Sequence, residues 1–142
     1  MSFLEKVFHN KKEIVDNRIY VYLAGPLHNS TDIEKWNWRR EVVKAFAGNE
    51  RFVILVPQEM DTKEAAVEQD KQMLEKAHVV LVFYWKKSTG TAMEVYIGWN
   101  QKKDVYTVVS PHTKGDWWIE YHSKKVFENL DEAVKHIKYV WG

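Results

Sequence analysis

The strongest constraint on this chain is that short apolar runs typical of β-strands alternate with segments of helical periodicity. The strand-like runs are residues 18–24, 52–56, 79–84, 105–109 and 125–127. The helical segments are about residues 32–48, 62–77, 90–103 and 130–137. Strands that are joined by helices pair in parallel through right-handed crossovers. The sequence therefore predicts an α/β fold, a single doubly wound domain of the flavodoxin or Rossmann type with about five parallel strands.

The predicted domain occupies residues 18–142, and residues 1–17 are expected to form an appended arm or helix. Helical periodicity in that first segment is weak and rests on Phe3, Leu4, Val7 and Phe8. At 142 residues the chain can build one hydrophobic core but not two. Asp32 is expected to cap the first helix of the domain, because a carboxylate there can accept from free backbone N–H groups.

Charge and composition narrow the function classes. A net charge of +1 provides no electrostatic footprint for nucleic acid or for a membrane surface. No run of about 18 apolar residues could span a membrane, and the first residues lack the apolar segment of a signal peptide, so we expect a cytoplasmic protein. Cysteine is absent and the six histidines are scattered without a helical i, i+4 pair. We therefore expect neither a metal site nor a cofactor.

Turn-forming and polar residues follow the first three predicted strands. Gly25 and Pro26 follow the first strand, Gln58 follows the second, and the segment from Trp85 to Gly90 follows the third. Ligands of doubly wound sheets bind outside the carboxyl ends of the strands. Each glycine or proline taken singly is equally compatible with a simple turn. Because all of these residues lie at the same edge of the predicted sheet, a binding site at that edge is favoured.

Two carboxylates stand out. Asp70 lies within an apolar helical stripe that consists of Ala66, Asp70, Met73, Leu74 and Ala77. It needs a partner or a function, since burying an unpaired charge is costly; alternatively it lies at the margin of the stripe and pairs with Lys71 or another exposed cation. Glu94 follows a predicted turn at Gly90, near the amino end of a helix, where the dipole favours a carboxylate that is ionised at neutral pH. Alone, Glu94 is equally compatible with a charge that only complements this dipole.

In their order and spacing these motifs resemble the nucleoside 2′-deoxyribosyltransferases and their nucleotide N-glycoside hydrolase relatives, over roughly residues 18–139. The first anchor is Tyr22-Leu23-Ala24-Gly25-Pro26. Asp70, nine residues before the third strand, is the second, and Gly90-Thr91-Ala92-Met93-Glu94 is the third. Residues 117–123 and 126–133 are also similar to a branch of this family.

The resemblance implies that Glu94 is a nucleophile, which attacks C1′ of a 2′-deoxynucleoside and forms a covalent deoxyribosyl ester. A second base then takes the sugar with retention of configuration. Asp70 would contact the nucleobase and pass a proton to the leaving nitrogen, and Tyr22 would orient Glu94. The implied substrate-binding residues are Gly25, Pro26, Gln58, Ser88, Gly90 and Met93, with Trp85 and Tyr84 as stacking surfaces for the base. The implied partners are nucleosides or nucleotides and free nucleobases.

One position departs from the transferase pattern. The deoxyribosyltransferases carry a second aspartate six residues before the nucleophilic glutamate, and Ser88 stands there, preceded by Lys86 and Lys87. In the nucleoside-monophosphate N-hydrolases a serine at this place helps to bind a 5′-phosphate, which two lysines would also suit. Transfer is the favoured function, because Thr-Ala-Met before Glu94 and the C-terminal region look more like the transferase branch. Nucleotide hydrolysis is the alternative, and a non-catalytic nucleotide-binding module is a third interpretation.

The resemblance also bears on assembly. Family members form dimers, tetramers or hexamers in which neighbouring subunits complete the pocket. It therefore implies a homo-oligomer with shared active sites. The aromatic residues Trp117, Trp118 and Tyr121 are a candidate interface.

Overall fold

The predicted strands form one parallel sheet in the computed structural model of the protein, which describes residues 16–142. They are β1 (Ile19–Ala24), β2 (Phe52–Leu55), β3 (Val79–Tyr84), β4 (Asp104–Val109) and β5 (Lys125–Phe127). Their order is β2-β1-β3-β4-β5, and all neighbours run parallel. The predicted α/β fold is confirmed, and β1 and β3 flank the switch point at which such sheets bind ligands. The arm expected at residues 1–17 lies outside the described residues, apart from its last two.

Helices cover both faces of this sheet. Those of residues 16–142 are α1 (Asp32–Phe46), α2 (Lys63–Lys76), α3 (Thr89–Asn100), α4 (Trp117–Tyr121) and α5 (Leu130–Trp141). Helices α1 and α5 pack on one face, where Val42 and Ile137 are buried. Helices α2, α3 and α4 pack on the other face, where Leu74, Val95 and Ile119 are buried. Because both faces are covered, the strands are nearly continuous apolar runs in the sequence.

The first helix is capped by Thr31. The prediction that Asp32 is the cap is therefore wrong. The Thr31 side chain accepts from the Glu34 N–H over 3.1 Å, and the Glu34 side chain accepts from the Thr31 N–H over 2.9 Å. This reciprocal pair satisfies two N–H groups, and Asp32 becomes the first helical residue. Helix α4 was missed by the sequence analysis because its five residues are too few for a recognisable helical period.

Helix α3, which carries Glu94, is fixed near both ends. It starts at Thr89, so Gly90 is helical and does not form the predicted turn. Ser88 is the N-cap, and its Oγ accepts from the Thr91 N–H over 3.3 Å. Near the other end, a Cβ on Gly98 would lie 3.1 Å from a methyl group of Val80 and equally close to one of Val105. The missing side chain therefore allows α3 to lie directly against β3 and β4.

Neither a helical membrane span nor a metal cluster occurs in the part of the chain that the structure describes. None of its helices combines the length and the apolar character needed to cross a bilayer. No three His, Asp or Glu side chains lie together where they could hold a metal ion.

Candidate active site

A cavity of about 370 Å³ opens at the carboxyl end of β1 and is bordered by α1, α2 and α3. The parallel topology brings these elements together at the switch point. Six of the predicted site residues line the cavity, namely Tyr22, Gly25, Asp70, Gly90, Met93 and Glu94. Larger open depressions elsewhere on the described surface contain neither carboxylate of this set. This cavity is therefore the candidate active site.

Tyr22 and Glu94 are joined by a short hydrogen bond across the cavity. The Tyr22 hydroxyl donates to Oε2 of Glu94 over 2.6 Å. Tyr22 is 1% exposed on β1, whereas Glu94 is partly exposed and lines the cavity. A buried phenol on a sheet strand is a rigid partner, so this bond restrains the orientation of the Glu94 carboxyl group.

Burial raises the pKa of Glu94 from its ordinary value of 4.5 to about 8. The Tyr22 hydrogen bond and the positive charge of Arg39 lower this pKa, while Asp70 raises it further. Glu94 is the sixth residue of α3, beyond the first turn, where the dipole effect has largely decayed. The expectation of a carboxylate that is ionised at neutral pH is therefore wrong for the free protein. Glu94 is mostly protonated at pH 7.

Asp70 approaches the same cavity from α2. It is partly buried, and burial raises the pKa of its carboxyl group, while interactions with Tyr22 and Glu94 and the charge of Arg39 oppose this rise. The alternative pairing of Asp70 with Lys71 does not occur, since none of the ion pairs in the described chain includes either residue. Two carboxyl groups with raised pKa values thus share one cavity, and at neutral pH the pair tends to retain a proton.

Arg39 of α1 lines the cavity as well, and the sequence analysis did not identify it. It is 1% exposed, and its Nη2 donates to the carbonyl of Gly25 over 3.1 Å. Burial lowers the pKa of Arg39 to about 10, and the acidic groups of Tyr22, Glu94 and Asp70 oppose this. Its spacing to buried Val42 and Phe46 places it in the apolar stripe of α1, which is the signal that singled out Asp70 in α2.

The Ser88 segment, which the resemblance associates with a 5′-phosphate, does not line the cavity. The Ser88 hydroxyl is engaged as the cap of α3. Lys86 Nζ donates to the carbonyl of Asn29 over 2.7 Å, and Lys87 forms an exposed ion pair with Asp116 over 3.4 Å. These three side chains therefore stabilise loops around the cavity.

Four other predicted site residues also lie outside the cavity. Pro26 is buried directly after Gly25. Gln58 is exposed; its backbone N–H donates to the Gln69 side chain over 3.1 Å, and its own amide donates to the Val56 carbonyl. Trp85 is partly buried, with Lys86 Nζ 4.9 Å from its ring centroid. Tyr84, the other expected stacking residue, is buried in the core beneath α3 and α4.

Aliphatic side chains, which the sequence analysis did not assign to the site, supply the apolar wall of the cavity. They are Leu27, Val67, Leu74 and Ile97. His28 and Lys71 add polar groups. An apolar wall with a few convergent polar groups is the usual composition of a small-molecule site.

Several solved structures of other proteins share this fold. The 2-deoxyribosyltransferase of Leishmania mexicana has a TM-score of 0.67 at 15% identity, with 86% of this chain and 98% of that chain covered. The 2-deoxyribosyltransferase of Bacillus psychrosaccharolyticus has a TM-score of 0.64 at 17% identity, with 81% and 90% covered. The CMP N-glycosidase of Clostridium botulinum has a TM-score of 0.56 at 13% identity, with 84% and 98% covered. At these identities the similarity concerns the fold alone.

Sequence comparison gives the family. No curated protein sequence matches the chain significantly. A family model described as "Nucleoside 2-deoxyribosyltransferase like" matches residues 18–113, a stretch that contains β1 to β4 together with Tyr22, Asp70 and Glu94. The chain therefore belongs to the nucleoside 2-deoxyribosyltransferase-like family.

Proposed function

We propose that this protein is a nucleoside 2′-deoxyribosyltransferase, which moves 2′-deoxyribose between nucleobases through a covalent deoxyribosyl ester of Glu94. The observation that carries this proposal is the cavity in which Glu94, held by the Tyr22 hydroxyl over 2.6 Å, lies with a second carboxyl group on Asp70. Family membership supports it, as do the names of two proteins with the same fold. A retaining transfer needs one carboxylate as nucleophile and a second group as acid.

In the first step, the ionised Glu94 carboxylate attacks C1′ from the face opposite the base. A bond forms between Glu94 and C1′, and the bond between C1′ and the base nitrogen breaks with its electron pair going to the base. Asp70 gives its proton to that base. The sugar passes through an oxocarbenium-like transition state and is left as an ester of Glu94.

In the second step, the incoming base attacks C1′ from the face that the first base left. The ester bond breaks and Glu94 is released as a carboxylate. Asp70 takes up the proton that the incoming base loses, so it acts as acid in one direction and as base in the other. Two inversions at C1′ give net retention.

Proton distribution between the two carboxyl groups limits this mechanism. The reaction requires an ionised Glu94 and a protonated Asp70. In the free protein the pKa of Glu94 is about 8, so at pH 7 the nucleophile carries a proton in most molecules. That proton must leave Glu94 before attack, and the pH dependence of the reaction therefore belongs to the pair rather than to either residue.

The remaining cavity residues are proposed to bind substrate. Gly25, Gly90 and Met93 border the cavity near the two catalytic carboxyl groups, and the aliphatic wall offers a surface for the flat face of a base. Because Pro26 and Ser88 lie outside the cavity, we propose that they act by shaping the loops that precede α1 and α3. Gln58 and Trp85 also lie outside the cavity, and we do not propose a substrate contact for either of them.

The proposal is tested by incubating the protein with deoxyinosine and adenine and separating the products by chromatography. New deoxyadenosine is the expected product, and Glu94→Ala should abolish it. Glu68→Ala, an exposed position on α2, is the matched control and should leave the yield unchanged. If wild-type protein forms no new nucleoside and releases no base, and Glu94→Ala alters neither activity nor ligand binding, the catalytic proposal fails.

Hydrolysis of a nucleoside 5′-monophosphate is the second candidate. It is favoured by serine at position 88, by the cation Lys71 at the cavity and by the fold shared with a protein named CMP N-glycosidase. Deoxynucleoside monophosphates incubated without an acceptor base separate the two reactions. Free base and deoxyribose phosphate would support hydrolysis, whereas no release would support transfer. Binding of nucleotide with no turnover of any substrate would support the non-catalytic module.

We also propose that the protein is a homo-oligomer that shares its active sites. Trp117 and Tyr121 are 79% and 70% exposed on α4, which is unusual for such large apolar rings. Met93, 56% exposed, belongs both to the cavity and to the outer surface of α3. A partner subunit on this side would cover the aromatic residues and narrow the cavity opening. Sedimentation that shows a stable monomer at catalytic concentrations would contradict this assembly.

A further inference from the structure

Arg39 is buried without a counter-ion in direct contact. Among residues 16–142 it is the only Lys, Arg, Asp or Glu residue that is buried, at 1% exposure. None of the ion pairs within the described chain involves it. Burying a charge without a partner is costly, so a fold that retains such a residue uses its charge or its hydrogen bonds.

The contacts of Arg39 are to backbone carbonyls and to the aromatic rings of Trp36 and Trp38. Nη1 donates to the carbonyl of Lys35 over 2.6 Å, and Nη2 donates to the carbonyl of Gly25 over 3.1 Å. The guanidinium carbon lies 4.6 Å from the ring centroid of Trp38, and Nε has no partner among the described residues. These contacts leave the positive charge of Arg39 unneutralised at the point where α1 meets the loop after β1.

The acidic groups that interact electrostatically with this charge are those of the candidate active site. Arg39 lines the same cavity as Tyr22 of β1, Asp70 of α2 and Glu94 of α3. The other titratable groups that line this cavity are His28 and Lys71. The Lys35 ammonium forms an ion pair with Glu59 over 2.8 Å. A buried cation in a region of low dielectric favours the ionised form of a carboxyl group near it.

We propose that Arg39 is a positioning residue for the proposed transfer, which fixes the loop after β1 through the Gly25 carbonyl and supplies the positive charge that favours an ionised Glu94. Arginine suits both tasks. Its planar fork reaches two carbonyls at once and remains charged when buried, whereas a lysine offers a single nitrogen. The assignment of Glu94 as nucleophile rests on the proposed function, but the electrostatic effect on Glu94 does not.

The test is an NMR titration of the Glu94 side-chain carboxyl carbon in the free protein, assigned with the Glu94→Gln variant. An opposite charge at about 4–6 Å lowers a carboxyl pKa by about 1 to 3 units. Since Arg39 makes no direct ion pair, we expect Arg39→Gln to raise the Glu94 pKa by about one unit, a tenfold change in proton affinity. Arg39→Lys keeps the charge and should move it by less than about half a unit. Arg40→Gln, the exposed neighbour on α1, is the matched control and should not move it.

The same shift should appear in enzyme kinetics. For Arg39→Gln, the acid limb of the pH profile of kcat/KM moves to higher pH by the amount measured by NMR, which loss of fold stability alone would not produce. An unchanged Glu94 titration in folded Arg39→Gln overturns the inference. If that variant does not fold, Arg39→Lys decides, because it keeps the positive charge: a Glu94 pKa that rises by about one unit in folded Arg39→Lys also overturns the inference. If no transfer is found for the wild type but the NMR shift occurs, the proposed function fails and the electrostatic role of Arg39 remains.

Discussion

Replacing Glu94 by glutamine should stabilise the protein, by an amount that grows with pH. Glutamine has the shape of a protonated glutamic acid, and its side-chain oxygen can accept the hydrogen bond that Tyr22 donates to Glu94 over 2.6 Å. Unlike glutamic acid, it cannot ionise. The variant therefore removes the cost of placing a carboxylate in this cavity while it preserves the packing.

The magnitude follows from the pKa of Glu94, which is about 8 in the folded protein against an ordinary value of 4.5. Between these pH values the folded state keeps a proton that the unfolded state has released, so the free energy of unfolding falls as pH rises. This stabilising contribution is fully present below about pH 4.5 and is lost by about pH 8. At about 1.4 kcal/mol per unit, the wild type should lose about 3 kcal/mol relative to Glu94→Gln between about pH 5 and pH 8.

Urea denaturation of the two proteins at about pH 5, 6, 7 and 8 measures this difference. Titrating groups that do not interact with Glu94 contribute equally to both proteins, so the difference between them reports Glu94 together with its coupling to Asp70. Glu68→Gln, which lies exposed on α2, serves as the control and should differ from the wild type by a constant amount. A difference between wild type and Glu94→Gln that varies by less than about 0.5 kcal/mol over this range would refute the reasoning, because Glu94 would then titrate alike in the folded and unfolded states.

Three further predictions concern the residues around Glu94. Asp70→Asn should lower kcat/KM about 10²-fold or more for deoxyinosine. The loss should be much smaller for 7-methyl-2′-deoxyguanosine, because its cationic base leaves without taking up a proton. Equal losses for both substrates would contradict the role of Asp70 as the acid. Tyr22→Phe removes a hydrogen bond to a charged group, so kcat/KM should fall about 10- to 100-fold. Because this bond lowers the pKa of Glu94, the acid limb of the pH profile of kcat/KM should also shift to higher pH. Gly25→Ala would place a Cβ 2.8 Å from the Trp38 ring and 3.1 Å from the Phe83 carbonyl, so urea denaturation should show a loss of about 1–3 kcal/mol, and unchanged stability would show that the loop yields freely.

Strand positions were predictable because the strands are buried on both faces. The segment 79–84 is an uninterrupted apolar run, which is followed after Trp85 by polar residues, and β3 comprises residues 79–84. Helix ends were less predictable, since the choice between Thr31 and Asp32 as cap depends on whether Glu34 folds back to close the reciprocal pair. That choice is made by side-chain geometry, which the residue types alone leave open.

The position of Tyr22 and Gly25 at the cavity was predictable from topology, because parallel strands bring their carboxyl ends to one edge, whereas Asp70 and Glu94 were joined to them only by the family resemblance. The protonation of Glu94 was not predictable, because the helix dipole is a local property whereas burial depends on the packing of α2 and α3 against β1. Trp85 was expected at the cavity, but the conformation of the loop after β3 depends on contacts such as Lys86 to the Asn29 carbonyl, which join segments far apart in sequence.

The close packing of α3 has a consequence for redesign of the range of ligands that the cavity accepts. Because Ser88 caps one end of α3 and Gly98 packs closely against β3 and β4 near the other, a shift of α3 that moves Glu94 to suit a larger ligand would be costly. The opposite wall is different, because Val67 is 50% exposed and Lys71 is exposed as well, although both border the cavity. A mutant library concentrated on α2 should therefore change the shape of this wall at little cost in stability, whereas substitutions along α3 should displace Glu94.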